Sequence, residues 1–166
     1  SEQIDKLLES GLDVYNTYGP TESTVCASYH KVEKLNQRLP IGKPIANKTI
    51  HIVSESSELS PIGAIGELCI SGAGLARGYL NLPELTQEKF IPNPFSGDSK
   101  SRLYKTGDLA RWLPDGTIEF MGRKDEQVSI RGFRIELGEI EFQINQEESV
   151  NQSVVVVKER SGHKHL

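Results

Sequence analysis

The segment Asn16-Thr17-Tyr18-Gly19-Pro20-Thr21-Glu22 gathers an amide, a phenol, hydroxyls and a carboxylate around a Gly-Pro break. A carboxylate at Glu22 can ligate a divalent cation, and the Thr21 hydroxyl can donate to a phosphate oxygen. Mg²⁺ prefers oxygen ligands and often takes one protein carboxylate together with substrate phosphates. Tyr18 offers a flat ring against a purine, Asn16 an amide able to read an adenine edge, and Gly19-Pro20 the turn that aims them. Further along, Tyr104-Lys105-Thr106-Gly107-Asp108 ends in a carboxylate able to accept from both hydroxyls of a ribose. Each block alone also reads as a turn, with Thr21 and Glu22 capping the next element and Asp108 a turn aspartate.

A third block, Arg131-Gly132-Phe133-Arg134-Ile135-Glu136-Leu137-Gly138-Glu139, follows the first two. In this order and at roughly this separation, the three resemble the adenylation domain of nonribosomal peptide synthetases. That family belongs to the adenylate-forming superfamily with acyl-CoA synthetases and luciferases. The resemblance implies an intact domain that forms an aminoacyl-AMP from an amino acid and Mg·ATP. It then passes the aminoacyl group to the phosphopantetheine thiol of a carrier protein. On this reading Glu22 is the Mg²⁺ ligand and acts with Thr21 in catalysis. Asn16, Tyr18, Gly19, Thr21, Asp108, Phe120 and Arg123 contact the nucleotide, Asp108 through the ribose. Taken alone, Phe120 in a strand is an ordinary core residue. Thr17, Val25 and Cys26 line the amino-acid pocket by resemblance; all are uncharged, which disfavours a Lys- or Arg-like substrate needing a buried counter-ion. The resemblance also implies that Asp125 is the hinge about which a small C-terminal subdomain swings. Ser129 stands where the family usually has Lys, a departure that bears on the second half-reaction.

The family's phosphate loop is expected before residue 1 and its terminal catalytic Lys after residue 166. The chain by itself is therefore expected to be inactive, completed by the N-terminal part of the domain, covalently or as a separate chain. Two rival readings are an acyl-CoA ligase of the same superfamily and a noncatalytic fragment that assembles with a second chain. Tyr18 to Glu22 and Ile130 to Glu141 look more like the peptide-synthetase branch.

The 166 residues are 36% hydrophobic and 25% charged, enough to bury a core. A net charge of −4 with dispersed basic residues argues against nucleic acid as a partner. Cys26 and Cys69 lack a Cys-x-x-Cys spacing and read as small buried hydrophobes in a reducing compartment. With no membrane-length apolar run and no signal pattern, the expected location is cytoplasmic and no membrane partner is expected. His163 and His165 read as solvated imidazoles in a loop. Gly63 to Gly66 and Gly72-Ala73-Gly74 lack the spacing of a phosphate cradle and read as turns.

The elements that must position these groups follow from periodicity. Ile4, Leu7 and Leu8 share a helical face ending at Gly11, and residues 12–18 look extended. Strands are expected at 49–53 and Glu67 to Ser71. Pro83 starts a short helix toward Phe90, and residues 91–101 read as a surface loop. Pro114-Asp115-Gly116 joins Leu109 to Leu113 and Thr117 to Met121 as a hairpin. Gln127 to Ile130 and Phe133 to Ile135 form a second hairpin around Arg131-Gly132. A helix is expected from Leu137 to about Glu148. The apolar run Val154 to Val157 suits a strand buried on both faces. The expected class is α+β. Residues 1–124 would be the distal, β-barrel-like part of the large subdomain, and 125–166 the start of the small one.

Overall fold

The computed structural model describes residues 2–33, 39–125, 127–130, 133–160 and 163–166. The chain divides into two compact units, Ser1–Lys124 and Asp125–Leu166.

The first unit opens with α1 (Glu2–Glu9), whose apolar residues share one face, and which ends before Gly11. Strand β1 (Val14–Tyr18) pairs antiparallel with β2 (Ser28–Val32), placing Tyr18 opposite Ser28, and β3 (Lys43–Pro44) pairs with β2. A single 3₁₀ turn, Thr21–Ser23, lies between β1 and β2. The larger sheet is built from β4 (Lys48–Val53), β5 (Gly66–Gly72), β6 (Phe90–Pro92), β7 (Arg102–Trp112) and β8 (Ile118–Arg123). Its order is β4-β5-β7-β6, with β8 also on β7, and every pair is antiparallel. Helix α2 (Pro83–Lys89) leads into β6 with Pro83 in its first turn, where a missing N–H costs nothing.

Alternation along the strands supplies the core. Ile50, Ile52, Leu68, Ile70, Ala110 and Ile118 meet there with Ala27 and Ile41, and Tyr18, Leu75 and Trp112 pack against them. The two sheets join where Ile41 N–H donates to Ile118 O and Ile118 N–H to Gly42 O, both at 2.8 Å. Among the described residues these sheets do not close into a barrel.

Two segments of the first unit differ from the sequence-based expectation. Residues 91–92, expected to begin a loop, instead belong with Phe90 to the strand Phe90–Pro92; it lies at the sheet edge, where proline is tolerated. The block Tyr104 to Asp108 lies inside β7 rather than in a turn, because Leu103 and Tyr104 are buried and paired on both sides. The turn itself is at Asp115, whose carboxylate accepts from the Thr117 N–H and hydroxyl.

In the second unit, β9 (Val128–Ile130) and β10 (Phe133–Ile135) pair antiparallel, with Ile130 opposite Phe133. Their connection, Arg131-Gly132, lies outside the described residues. Helix α3 (Leu137–Ile144) stops short of Glu148, since Glu147 and Glu148 would place negative charge at the negative end of the helix dipole. Strands β11 (Lys158–Arg160) and β12 (His163–His165) pair, so His163 and His165 belong to a strand and not a loop. The strand expected at Val154 to Val157 does not form. Val154 and Val156 are exposed, and the Val155 N–H donates to the Glu141 carboxylate at 2.8 Å instead of to a ladder partner. An apolar run becomes a buried strand only where neighbours pair and cover it. Among the described residues no helix is long and apolar enough to cross a membrane.

Candidate functional site

Strands β5 and β7 lose register in a way that aims Asp108. Glu67 pairs with Leu109 while Cys69 pairs with Lys105, so residues 106–108 bulge. Gly107 sits at φ +74, a conformation glycine adopts without strain. Thr106 Oγ1 donates to Leu68 O at 2.6 Å and accepts from the Asp108 N–H at 3.0 Å. The Gly107 N–H donates to the Glu67 carboxylate at 3.2 Å. The bulge is thus tied to its neighbour strand.

Among the described residues, the Asp108 carboxylate, buried at 7% exposure, receives one donor on each oxygen. The Tyr18 hydroxyl donates to Oδ2 at 2.5 Å and Arg123 Nη1 to Oδ1 at 2.9 Å. Arg123 also donates to Thr106 O at 2.9 Å. Burial first, and then the charge of Asp108, push the Tyr18 phenol far above its ordinary range, so it remains a donor. A carboxylate offers about four acceptor positions, so one on each oxygen remains for a diol. The Phe120 ring lies 6.3 Å from the Tyr18 ring, tilted by 38°, and is 39% exposed. It is therefore at the rim of the site and not in the core.

Glu22 lies on the 3₁₀ turn. Gly19 permits that turn, because a Cβ there would fall 2.4 Å from Val25 O and 2.7 Å from Ala27 N. The buried Glu22 side chain accepts from the Tyr79 hydroxyl on Oε1 at 2.7 Å, and Glu22 O accepts from the Ala76 N–H at 2.8 Å. Burial, then contact with Tyr104 and Glu22, raise the Tyr79 phenol well above its usual range. The Tyr79 and Tyr104 hydroxyls are 3.5 Å apart. Tyr79 is fixed in turn by its N–H to Thr86 Oγ1, 2.9 Å, and by the Phe90 ring at 5.7 Å. Thr21, beside Glu22, is exposed. Among the described residues no group of three or more His, Cys, Asp or Glu side chains could hold a metal by itself. The Glu22 carboxylate by itself would give a Mg²⁺ ion one oxygen ligand, with the remaining positions filled from outside these residues.

The structure thus brings Tyr18, Asp108, Phe120 and Arg123 into one constellation, with Glu22 in the same unit. Asn16 donates from Nδ2 to Pro40 O at 2.7 Å, so its amide nitrogen serves as a strand tie. Thr17 is exposed on β1, Val25 is 80% exposed, and Cys26 is half-buried with its thiol 3.4 Å from Ser28 O. Cys69, in contrast, is fully buried. Asp125, at the start of the second unit, accepts from the Gln127 N–H at 3.2 Å, and Ser129 lies opposite Arg134. Sequence reasoning missed Tyr79. Its partner Glu22 is 57 positions away, and nothing in the local Gly78-Tyr79-Leu80 pattern signals that pairing.

The AMP-binding enzyme family matches residues 2–80. Tyrocidine synthase 3 of Brevibacillus parabrevis is 54% identical over 157 residues, 93% of this chain and 2% of that protein. Surfactin synthase subunit 3 of Bacillus subtilis is 58% identical over 144 residues, 85% of this chain and 11% of that protein. Among solved structures, PA1221, an NRPS protein containing adenylation and PCP domains, aligns with a TM-score of 0.83 at 35% identity, covering 95% of this chain and 33% of its own. NpsA-ThdA, an artificially fused adenylation-PCP di-domain NRPS from Klebsiella oxytoca, aligns with a TM-score of 0.78 at 31% identity, covering 92% and 31%. The chain thus spans a small part of the curated relatives and about a third of the solved ones. By motif, by sequence and by fold, this chain belongs to the AMP-binding enzymes, in the branch of nonribosomal peptide synthetase adenylation domains.

Proposed function

We propose that this chain supplies the ribose grip, the metal carboxylate and part of the amino-acid pocket of a domain that makes aminoacyl-adenylate. The observation that carries this is the Asp108 carboxylate, buried, oriented by Tyr18 and Arg123, and rimmed by the half-exposed Phe120 ring. In the reaction the amino-acid carboxylate attacks the α-phosphorus of ATP; the new P–O bond forms as the bond to pyrophosphate breaks. Both reactants are anionic, so the site must offset charge as well as align them. Asp108 accepts from the ribose hydroxyls, Tyr18 and Phe120 present ring faces, and Arg123 keeps Asp108 in place near the phosphates. Glu22 would hold Mg²⁺, which would neutralise developing charge on the phosphates, and Thr21 donates to a phosphate oxygen. Gly19 allows the turn that carries both. Asn16 orders this edge through Pro40, with its Oδ1 side available to the adenine.

Thr17, Val25 and Cys26 line the side-chain pocket, which suits an uncharged amino acid. The second substrate is a carrier-protein phosphopantetheine thiol, a reading supported by solved relatives that contain adenylation and PCP domains. Residues 1–124 belong to the large subdomain, 125–166 to the small one, and Asp125 is the hinge between them. The activity belongs to the complete domain.

Asp108→Ala in the complete domain tests this reading. It removes two ribose hydrogen bonds to a charged acceptor, each worth roughly 1.5–3 kcal/mol. The KM for ATP should rise steeply while preference among amino acids is kept. A shift in amino-acid preference with unchanged nucleotide affinity would remove Asp108 from the ribose.

A further inference from the structure

The backbone between the 3₁₀ turn and β2 is strained. Thr24 sits at φ +58 and Val25 at φ +64. Both are β-branched, for which this left-handed region is an outlier, and here two occur in succession. Such a conformation persists only where the surroundings over-determine it.

The surroundings do so from outside the loop. Lys48, the first residue of β4, donates through Nζ to Ser23 O and to Cys26 O, the latter at 2.8 Å. These carbonyls flank the strained pair, so one ammonium closes the loop across it. Charge-assisted hydrogen bonds of this kind are stronger than neutral ones. Ile50 and Ile52 follow Lys48 at alternate positions of β4 and are buried in the core, so the ammonium extends from a fixed strand. A second tether is the Thr24 hydroxyl, which donates to Gly74 O at 2.7 Å. Beyond the pair, the Ala27 N–H donates to Tyr18 O at 2.7 Å and returns the chain to β2. Val25 is left 80% exposed at the tip, with Cys26 half-buried beside it.

We infer that Lys48 is a positioning residue of the amino-acid pocket: by clamping Ser23 and Cys26 it holds Val25 and Cys26 in the placement that selects the substrate side chain. Lys48 does so without touching the amino acid. This inference rests on the reading of Val25 and Cys26 as pocket residues.

Lys48→Met in the complete domain keeps the aliphatic stem and removes the donors. Misplacement by about 1 Å can cost up to about a hundredfold, so the KM for the preferred amino acid should rise about tenfold. Discrimination against smaller and larger amino acids should fall, while the KM for ATP stays within about twofold. Thr24→Val removes the other tether at an exposed position and should show the same split, smaller in size. If Lys48→Met does not fold, Thr24→Val decides alone. Val25→Ala serves as the check on the pocket itself. If Val25→Ala alters preference but the two tether variants leave the amino-acid KM unchanged, the clamp is overturned and the pocket reading stands. If none of the three alters preference, the pocket reading falls and takes the clamp with it. Parallel rises in both KM values would mean general damage, and would also overturn the clamp.

Discussion

Tyr18 and Tyr79 do the same work in two places: each phenol donates to a buried carboxylate, Asp108 in one case and Glu22 in the other. Burial keeps both phenols protonated, so neither carboxylate loses its donor at any physiological pH. Glu22→Gln keeps an acceptor for Tyr79 but loses the charge. In the complete domain it should therefore melt normally yet lose on the order of 2–4 kcal/mol of transition-state stabilisation, as for other single electrostatic groups. An unchanged rate at limiting Mg²⁺ would remove Glu22 as the ligand. The two cysteines differ by environment in a testable way. Burial raises the Cys69 thiol to about 12, and the thiolate is the reactive form. An alkylating reagent at neutral pH should modify Cys26 in the folded chain and reach Cys69 only in denaturant. Peptide mapping of the native reaction checks this, and early labelling at Cys69 would contradict its burial. Asp108 and Glu22 were legible as candidates because their blocks are contiguous. Tyr79 and Lys48 were not, since each acts on a segment far away in sequence.

At the scale of elements, alternation and turn chemistry made most of the first unit readable. Ile50 and Ile52, the hairpin around Asp115 and the start of α2 at Pro83 all follow from local rules. What escaped was decided by neighbours. Tyr104 to Asp108 reads as a turn because Gly107 and Asp108 are turn residues, yet pairing with β5 and β6 draws the block into β7 and leaves only a bulge. Val154 to Val157 has the composition of a buried strand but pairs with no strand among the described residues. Strand β4 also carries a pH effect on its other face. His51 lies 5.0 Å from the Phe95 ring and 3.4 Å from Ser71 Oγ, and burial lowers its pKa from the ordinary 6.5. The unfolded chain then binds the proton more readily than the folded one. The stabilisation is present above the unfolded pKa of 6.5 and is lost as pH falls through it toward the folded pKa. Urea midpoints measured from about pH 8 to about pH 5, where His is the main group to titrate, should fall with acidity. His51→Phe should flatten that slope; an identical slope in the variant would assign it elsewhere.

At the scale of the molecule, the division at Lys124 and Asp125 is where the proposed mechanism must move. The Lys124 N–H donates to Gly107 O at 2.8 Å, which ties the end of the first unit to the bulge that aims Asp108. The next residue begins the second unit. If Asp125 is the hinge, its backbone dihedrals must differ between the adenylating and thioester-forming arrangements. Proline fixes φ near −65° and restricts the residue before it, here Lys124. Asp125→Pro should therefore favour one arrangement without touching a group that contacts the reactants. Hinge substitutions act by gating and leave bond-making groups in place. Pyrophosphate exchange should then survive within about tenfold while transfer to the carrier thiol falls much further. Both assays on one preparation of the complete domain decide the matter. Equal losses would point to a folding defect, and no loss in either would take Asp125 out of the mechanism. Selective loss of transfer would fix the hinge at Asp125, whose carboxylate accepts from the Gln127 N–H at the start of the second unit.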